Sequence, residues 1–268
     1  MTESGESSVL IQEQDAQLSV TLNRPEVGNA FSADMVDTLW RTFTDLAERE
    51  DIRVVVLAGL GKHFCSGLDL KDGGWGLTER AAKPLLGVQR RISRLYLAMR
   101  RCPQAIIARV QGAAYGGGLS LAAAADLRLA DDSAKFCAAY IRIGLTGADM
   151  ASSYLLPRLV GGSFAAEMMM TGRAYTAEQM ERRGFLSQVT APDDLDDAVA
   201  QLSADLLATA PLGLRLTKEA VALGIDAPSM EATMALEDRH QALLSLTDDA
   251  AEAMRAFQER RAPQYKGE

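Results

Sequence analysis

The sequence predicts an α/β fold, and three observations lead to it. Two runs, residues 54–57 and Ala105–Val110, are apolar with little interruption, the pattern of strands buried on both faces of a parallel sheet. Between them, residues 84–100 read as a helix, and another helical period precedes the first run. Strand, helix and strand joined by long crossovers imply parallel pairing. With 268 residues, the chain can hold one main core and an appended element.

The elements follow in order. The first dozen residues read as a frayed tail. Leu18, Val20 and Leu22 then alternate with Ser19 and Thr21, as in a strand with one buried face. From Ser32 the period lengthens: Met35, Leu39, Phe43 and Leu46 share a helical face, with Ser32 or Asp34 as its cap. The run at 54–57 ends at Gly59, and a glycine-rich segment, residues 68–76, leads to the helix at 84–100. After Ala105–Val110, Gly116, Gly117 and Gly118 open an alanine-rich helix that reads as buried. Short strands follow at 127–130 and 134–137, and beyond residue 148 helices dominate. Thr176 and Gln179 form a capping box for a short helix that Gly184 can end. Pro211 starts a helix to Leu223, with Leu212, Leu216 and Ala220 on one face.

Composition narrows the function classes. With 48% hydrophobic and 24% charged residues the chain reads as an ordinary globular protein. Its net charge of -8 disfavours nucleic acid as a partner but leaves room for an anionic small molecule in a local basic pocket. Cys65, Cys102 and Cys137 are far apart in sequence and form no CxxC or Cys/His pattern, so neither a disulfide framework nor a metal site is expected, and a cytoplasmic location is. The amino terminus is polar and acidic, unlike a signal peptide, and the uncharged stretch 110–125 is too short and glycine-rich for a membrane span.

The triple glycine carries chemistry. Unpaired N–H groups at a helix start, with the helix dipole behind them, can hold a phosphate or a developing oxyanion. Neither GxxxxGK[ST] nor GxGxxG is present to favour a nucleotide. The same glycines would also serve close helix–sheet packing, and both readings stand at this point. A second segment, Gly61-Lys-His-Phe-Cys-Ser-Gly-Leu-Asp-Leu70, likewise follows a strand and can turn N–H groups outward. Two donors from separate loops meeting at one oxygen would make an oxyanion hole.

These segments, with Leu22-Asn-Arg-Pro-Glu-Val-Gly-Asn-Ala30 and Val110-Gln-Gly-Ala-Ala-Tyr-Gly-Gly-Gly118, resemble the crotonase family, also called the enoyl-CoA hydratase/isomerase family. The resemblance continues in order through Ile143-Gly-Leu145, Tyr154-Leu-Leu-Pro-Arg-Leu-Val-Gly161, Met170-Thr-Gly172 and Phe257-Gln-Glu-Arg-Arg-Ala-Pro263. It implies a spiral of ββα units over residues 1–200 and a C-terminal helical region, 201–268, that forms homotrimers or dimers of trimers. It also implies an acyl-CoA thioester as substrate, with coenzyme A entering as part of that substrate, no tightly bound cofactor, and an enolate held in an oxyanion hole. By motif position the donors are the N–H groups of Leu68 and Gly117, with Gly116 bordering the substrate. Ser66, Gly67 and Asp69 would line the CoA path, and Arg24 would lie near its phosphates. Lys266 and Phe257 would reach CoA and the acyl tail from a neighbouring subunit. Lys62 and Lys71 are further local cations.

The chain departs from the family where hydratases carry two glutamates: Ser120 and Tyr140 stand there instead. A serine can orient water but has no proton equilibrium near neutral pH. Tyr140 can line the pocket, donate to an oxyanion or pack as a core aromatic. Asp149 is the candidate replacement acid/base, or else an N-cap. His63 and Cys65 read as structural. The resemblance therefore implies an enoyl-CoA hydratase first, with an isomerase or hydrolase using Asp149, or a non-catalytic acyl-CoA binder, as alternatives.

Overall fold

In the computed structural model, which describes residues 7–75 and 81–267, the chain enters as an edge hairpin. Strand β1, Val9–Gln14, pairs antiparallel with β2, Gln17–Leu22. The tail expected over the first dozen residues is therefore shorter on the described side; residues 1–6 lie outside the described residues. Only Val9 of β1 is buried, so this edge strand had no inward-facing alternation to announce it. The alternation in β2 does report burial: Leu18, Val20 and Leu22 face the core.

Helix α1, Ala33–Asp45, is capped by Ser32, whose Oγ accepts the Met35 N–H at 3.1 Å. Asp34 instead accepts from the Ser8 hydroxyl. Strand β3, Val54–Gly59, is followed by α2, Ala82–Arg101, and β4, Ala105–Val110. The glycine-rich segment is described through Trp75; Gly76 lies outside the described residues. Then come β5, Ala113–Tyr115; α3, Gly117–Ala124; β6, Leu127–Asp131; and β7, Lys135–Cys137. Helices α4, Ser152–Val160, and α5, Gly162–Thr171, precede β8, Ala174–Thr176, α6, Ala177–Glu181, and β9, Gln188–Thr190. The Thr176/Gln179 capping box is formed, and Gly184 closes the turn after α6 with its N–H on the Glu181 carbonyl.

The large sheet has the order β1-β2-β3-β4-β6-β9, parallel from β2 onward, and a small sheet has the order β5-β7-β8. Three central strands of the large sheet hand the chain to the second layer: β4 to β5, β6 to β7, and β3 to a segment bridged at Cys65 to Ala114. A helix then returns it. This is the expected spiral of ββα turns. Strands β5, β8 and β9 are three residues each and went unread, while the equally short β7 was expected at 134–137.

Strand β3 is buried on both faces. Val55 and Leu57 join the main core with Phe31, Leu39, Phe64 and Leu119, while Val54 and Val56 pack under helix α7, Leu195–Leu207. Because α7 lies on the sheet, the division expected at residue 200 falls inside a helix that belongs to the core by packing. The helices beyond it are α8, Pro211–Gly224, α9, Met230–Leu244, and α10, Asp248–Glu259; α8 and α9 bury no residue completely. No helix among the described residues is long and apolar enough to cross a membrane.

Candidate active site

Two strand exits meet at the amino end of α3. Main-chain bonds tie them together: the Cys65 N–H donates to the Ala113 carbonyl and the Tyr115 N–H to the Cys65 carbonyl, both at 2.9 Å. On the other side Phe31 and residues 67–69 exchange bonds, Phe31 N–H to Gly67 O at 2.7 Å and Asp69 N–H to Phe31 O at 3.0 Å. The Leu68 N–H between them has no acceptor among the described residues. Neither does the N–H of Gly117, the first residue of α3, because a first-turn N–H has no carbonyl four residues back within the helix. A methyl group on Gly67 would stand 3.0 Å from the Tyr115 carbonyl oxygen and 3.6 Å from the Gly117 nitrogen, so the two peptides are neighbours.

The glycines also pack closely, as the other reading of them held. A methyl on Gly117 would come within 2.7 Å of the Phe31 ring, and one on Gly118 within 2.2 Å of the Cys65 carbonyl oxygen. Both roles coexist. Gly116 adopts φ 51° and ψ −117°, a conformation open to glycine at little cost. From α2, the Tyr96 hydroxyl reaches both the Gly117 carbonyl and the Met150 sulfur at 3.1 Å.

At the first turn of α3, buried Ser120 and Tyr140 share a hydrogen bond, with Oγ and the phenol oxygen 2.8 Å apart. The Ser120 hydroxyl also approaches the Asp149 carbonyl oxygen at 3.4 Å. Burial pushes the Tyr140 phenol far above its ordinary value; the bond to Ser120 opposes this and the Asp149 charge adds to it. Tyr140 is thus a neutral hydroxyl. Burial likewise raises the Asp149 carboxyl above the usual carboxylate range, partly offset by the Met150 N–H bond at 2.7 Å.

Asp149 does not cap α4 with its carboxylate. The N-cap position is Ala151, without a side-chain cap, and the Asp149 main chain instead exchanges bonds with Ser152. Met150 and Ala151 have φ of 50° and 63°, a left-handed pair that costs roughly 1–2 kcal/mol per non-glycine residue. Burial of Met150 and its contact with Tyr96 hold this turn in place. Strain of this kind collects at functional loops.

The other expected site residues divide. Arg24 is committed to its own chain: Nη2 pairs with Asp69 at 2.9 Å and Nη1 donates to the Ala30 carbonyl at 2.7 Å. Burial works to raise the Asp69 carboxyl, but the Lys71 N–H and Arg24 outweigh it and hold the group below its usual value. The pair braces the 24–30 turn against the 66–70 segment. Ser66 is exposed and donates to the Val27 carbonyl at 3.2 Å. Phe257, on α10, is 81% exposed, and Lys266 has its N–H on the buried Asp249 carboxylate. Among the described residues of one chain neither makes a hydrogen bond or ion pair to the site segments.

His63 is structural, as read: its Nδ1 accepts the Ala113 N–H at 3.1 Å. Burial pushes the Cys65 thiol up to about 12, which makes it a core group rather than a nucleophile. Asn29 and Tyr96 escaped the sequence reading. Buried Asn29 binds the carbonyls of Leu60 and His63 and receives the Arg24 N–H, pinning three loops. Its place in the Gly-Asn-Ala end of the Leu22–Ala30 segment was the available signal. Tyr96 lies in an apolar stripe with Ile92, Leu95 and Met99, where an aromatic reads as plain core. No group of three potential metal-ligating side chains is brought together among the described residues.

Comparisons with known proteins place the chain in a family. A family model described as enoyl-CoA hydratase/isomerase matches residues 12–268. The chain is 39% identical over 264 residues to a protein of Mycobacterium bovis named probable enoyl-CoA hydratase, covering 97% of this chain and 93% of the relative. It is 31% identical over 259 residues to the 1,2-epoxyphenylacetyl-CoA isomerase of Escherichia coli, covering 97% and 98%. The crystal structure of an enoyl-CoA hydratase from Mycobacterium smegmatis superposes with a TM-score of 0.90 at 32% identity, covering 97% of this chain and 99% of the other.

Proposed function

Because the chain belongs to the enoyl-CoA hydratase/isomerase family, we propose that it binds an acyl-CoA thioester with its carbonyl oxygen between the N–H groups of Leu68 and Gly117. One observation carries this reading: two neighbouring peptides from separate strand exits leave these donors without an acceptor among the described residues. Each such donor contributes about 2.7–4 kcal/mol to stabilising a developing oxyanion.

The proposed reaction is hydration of the enoyl double bond. Water adds to C3, the electron pair moves through C2 onto the thioester oxygen, and the resulting enolate takes a proton at C2. Asp149 is the proton-transfer group, because its raised carboxyl can both accept and release a proton closer to neutral pH than an exposed aspartate. Ser120 and Tyr140 are neutral hydroxyls that orient water or a polar acyl group without taking its proton. A second reading, migration of the double bond, is favoured by there being one candidate carboxylate, Asp149, while Ser120 and Tyr140 stand at the positions of the two hydratase glutamates. A single base can remove a proton from one carbon and return it to another.

With Arg24 offset by Asp69, the CoA phosphates fall to Lys62 and Lys71, which are exposed and form no ion pair among the described residues, and to Lys266. Gly67 and Ser66 then border the pantetheine arm. The exposed apolar residues of α8 to α10, among them Val221, Ile225, Met254 and Phe257, are proposed to meet further copies of the chain. Phe257 would cover the acyl tail across that contact. Three buried thiols suit a reducing compartment, and the cytoplasm is the proposed location.

A panel of saturated, 2-enoyl, 3-enoyl, dienoyl and aroyl CoA thioesters in D2O separates these outcomes. Formation of a 3-hydroxyacyl product supports hydration, a moved double bond supports isomerisation, and deuterium at C2 marks the enolate in either. Tight binding without any of the three would show a binding protein and overturn the proposal.

A further inference from the structure

Arg128 takes no part in these proton transfers, yet it is a buried cation, 6% exposed, at the far end of the helix that carries Gly117. Its guanidinium donates to the carbonyls of Ala125 at 2.6 Å and Asp126 at 3.2 Å, approaches that of Ala122 at 3.5 Å, and reaches across to Phe185 at 2.6 Å. The first three are carbonyls at or just beyond the C-terminus of α3. Among the described residues it has no carboxylate within ion-pair distance. Burial pulls its pKa down to about 10, which still leaves it charged near neutral pH.

The surroundings strengthen the point. Arg100 donates to the Ala124 carbonyl at 3.4 Å and pairs with Asp126 at 2.9 Å, and Lys218 pairs with Asp126 at 2.7 Å. Three cations against one carboxylate leave a net charge of two at this end of α3. The helix is buried over all its residues, Gly117 to Ala124, so little water screens one end from the other. A buried cation without a counter-ion is costly, and the carbonyl end of a helix is one of the few places that compensates it.

We propose that Arg128 is a positioning residue for the enolate: held on the C-terminal carbonyls of α3, it neutralises the negative end of that helix and leaves the positive end, at Gly117, to the thioester oxygen. This rests on Gly117 being an oxyanion donor. The effect grows as charge develops on the oxygen, so it lowers the barrier and leaves ground-state binding nearly unchanged. Its size is about five- to tenfold in rate, the effect of one unit charge roughly 12–15 Å away at an effective dielectric near 20.

The test measures kcat and KM for deuterium entry at C2 across the thioester panel, in the unaltered protein and in Arg128→Gln, Arg128→Lys and Asp126→Asn. Arg128→Gln should lose about five- to tenfold in kcat with KM unchanged. Arg128→Lys should stay nearer the unaltered protein at neutral pH and fall to the glutamine level as pH rises and the buried amine loses its proton. Asp126→Asn removes the cluster's carboxylate, leaves the Arg128 bonds in place and should raise kcat. If Arg128 merely held carbonyls together, the lysine and glutamine variants would behave alike at every pH and Asp126→Asn would not be faster; either result overturns the inference. Where the Arg128 variants fail to fold, the direction of the Asp126→Asn effect decides alone. Absence of exchange in the unaltered protein would instead sink the proposed function and this inference with it.

Discussion

Asp149 is held where ionisation is costly, and that gives it a signature at the scale of a single residue. Its folded carboxyl lies above its unfolded value through burial, so the folded state binds the extra proton, and stability falls as pH rises between the two values. Asp149→Asn keeps an acceptor for the Met150 N–H and removes the buried charge. It should leave stability at neutral pH unchanged or slightly higher while turnover falls about 10²–10⁴-fold. Thermal melts and steady-state rates of the purified variant check both halves. In the unaltered protein the acidic limb of the pH–rate profile should lie above the range of an exposed aspartate, with turnover dropping as pH falls and Asp149 takes up its proton. Sequence reading found Asp149 but left capping open as its role. The left-handed pair at Met150 and Ala151, which settles where α4 starts, leaves no trace in residue type.

The glycines of α3 set the tolerances of the element. A methyl on Gly118 would meet the backbone oxygen of Cys65 at 2.2 Å, which only a movement of the main chain can relieve. Gly118→Ala should therefore destabilise by about 3 kcal/mol or more, at the upper end of overpacking costs, and denaturant unfolding measures it. Gly117→Ala meets the Phe31 ring, a side chain, so the cost should be smaller, with activity suffering more than stability. At the other end of the contact, Tyr96→Phe removes the hydroxyl shared by the Gly117 carbonyl and the Met150 sulfur and should cost about 1 kcal/mol. That both α3 and the 149–151 turn lean on one phenol could not be read from a sequence. Among the elements that were legible, α1, β3, β4 and α8 are long enough to repeat their period. The three-residue strands are held by pairing with their neighbours, which a sequence read residue by residue does not show.

At the scale of the whole molecule, apolar residues stay exposed on α8 to α10, Phe257 at 81%, and the proposal is that further copies of the chain cover them. Sedimentation velocity at micromolar concentration should find trimers or dimers of trimers, and a monomer would contradict the proposed roles of Phe257 and Lys266. The spiral itself was legible because seven segments in a fixed order resemble one family, whereas the commitment of Arg24 to Asp69 needed three dimensions: a lone arginine in a motif looks free until its partner, 45 residues on, is folded against it. The central claim is that the thioester oxygen lies between Leu68 and Gly117 with Asp149 at the reacting carbons. A crystal structure of Asp149→Asn with a 2-enoyl-CoA bound tests it most directly. The oxygen should lie about 2.7–3.1 Å from both nitrogens, with residue 149 within about 3 Å of C2, C3 or a water between them. A thioester oxygen turned away from either nitrogen would contradict it.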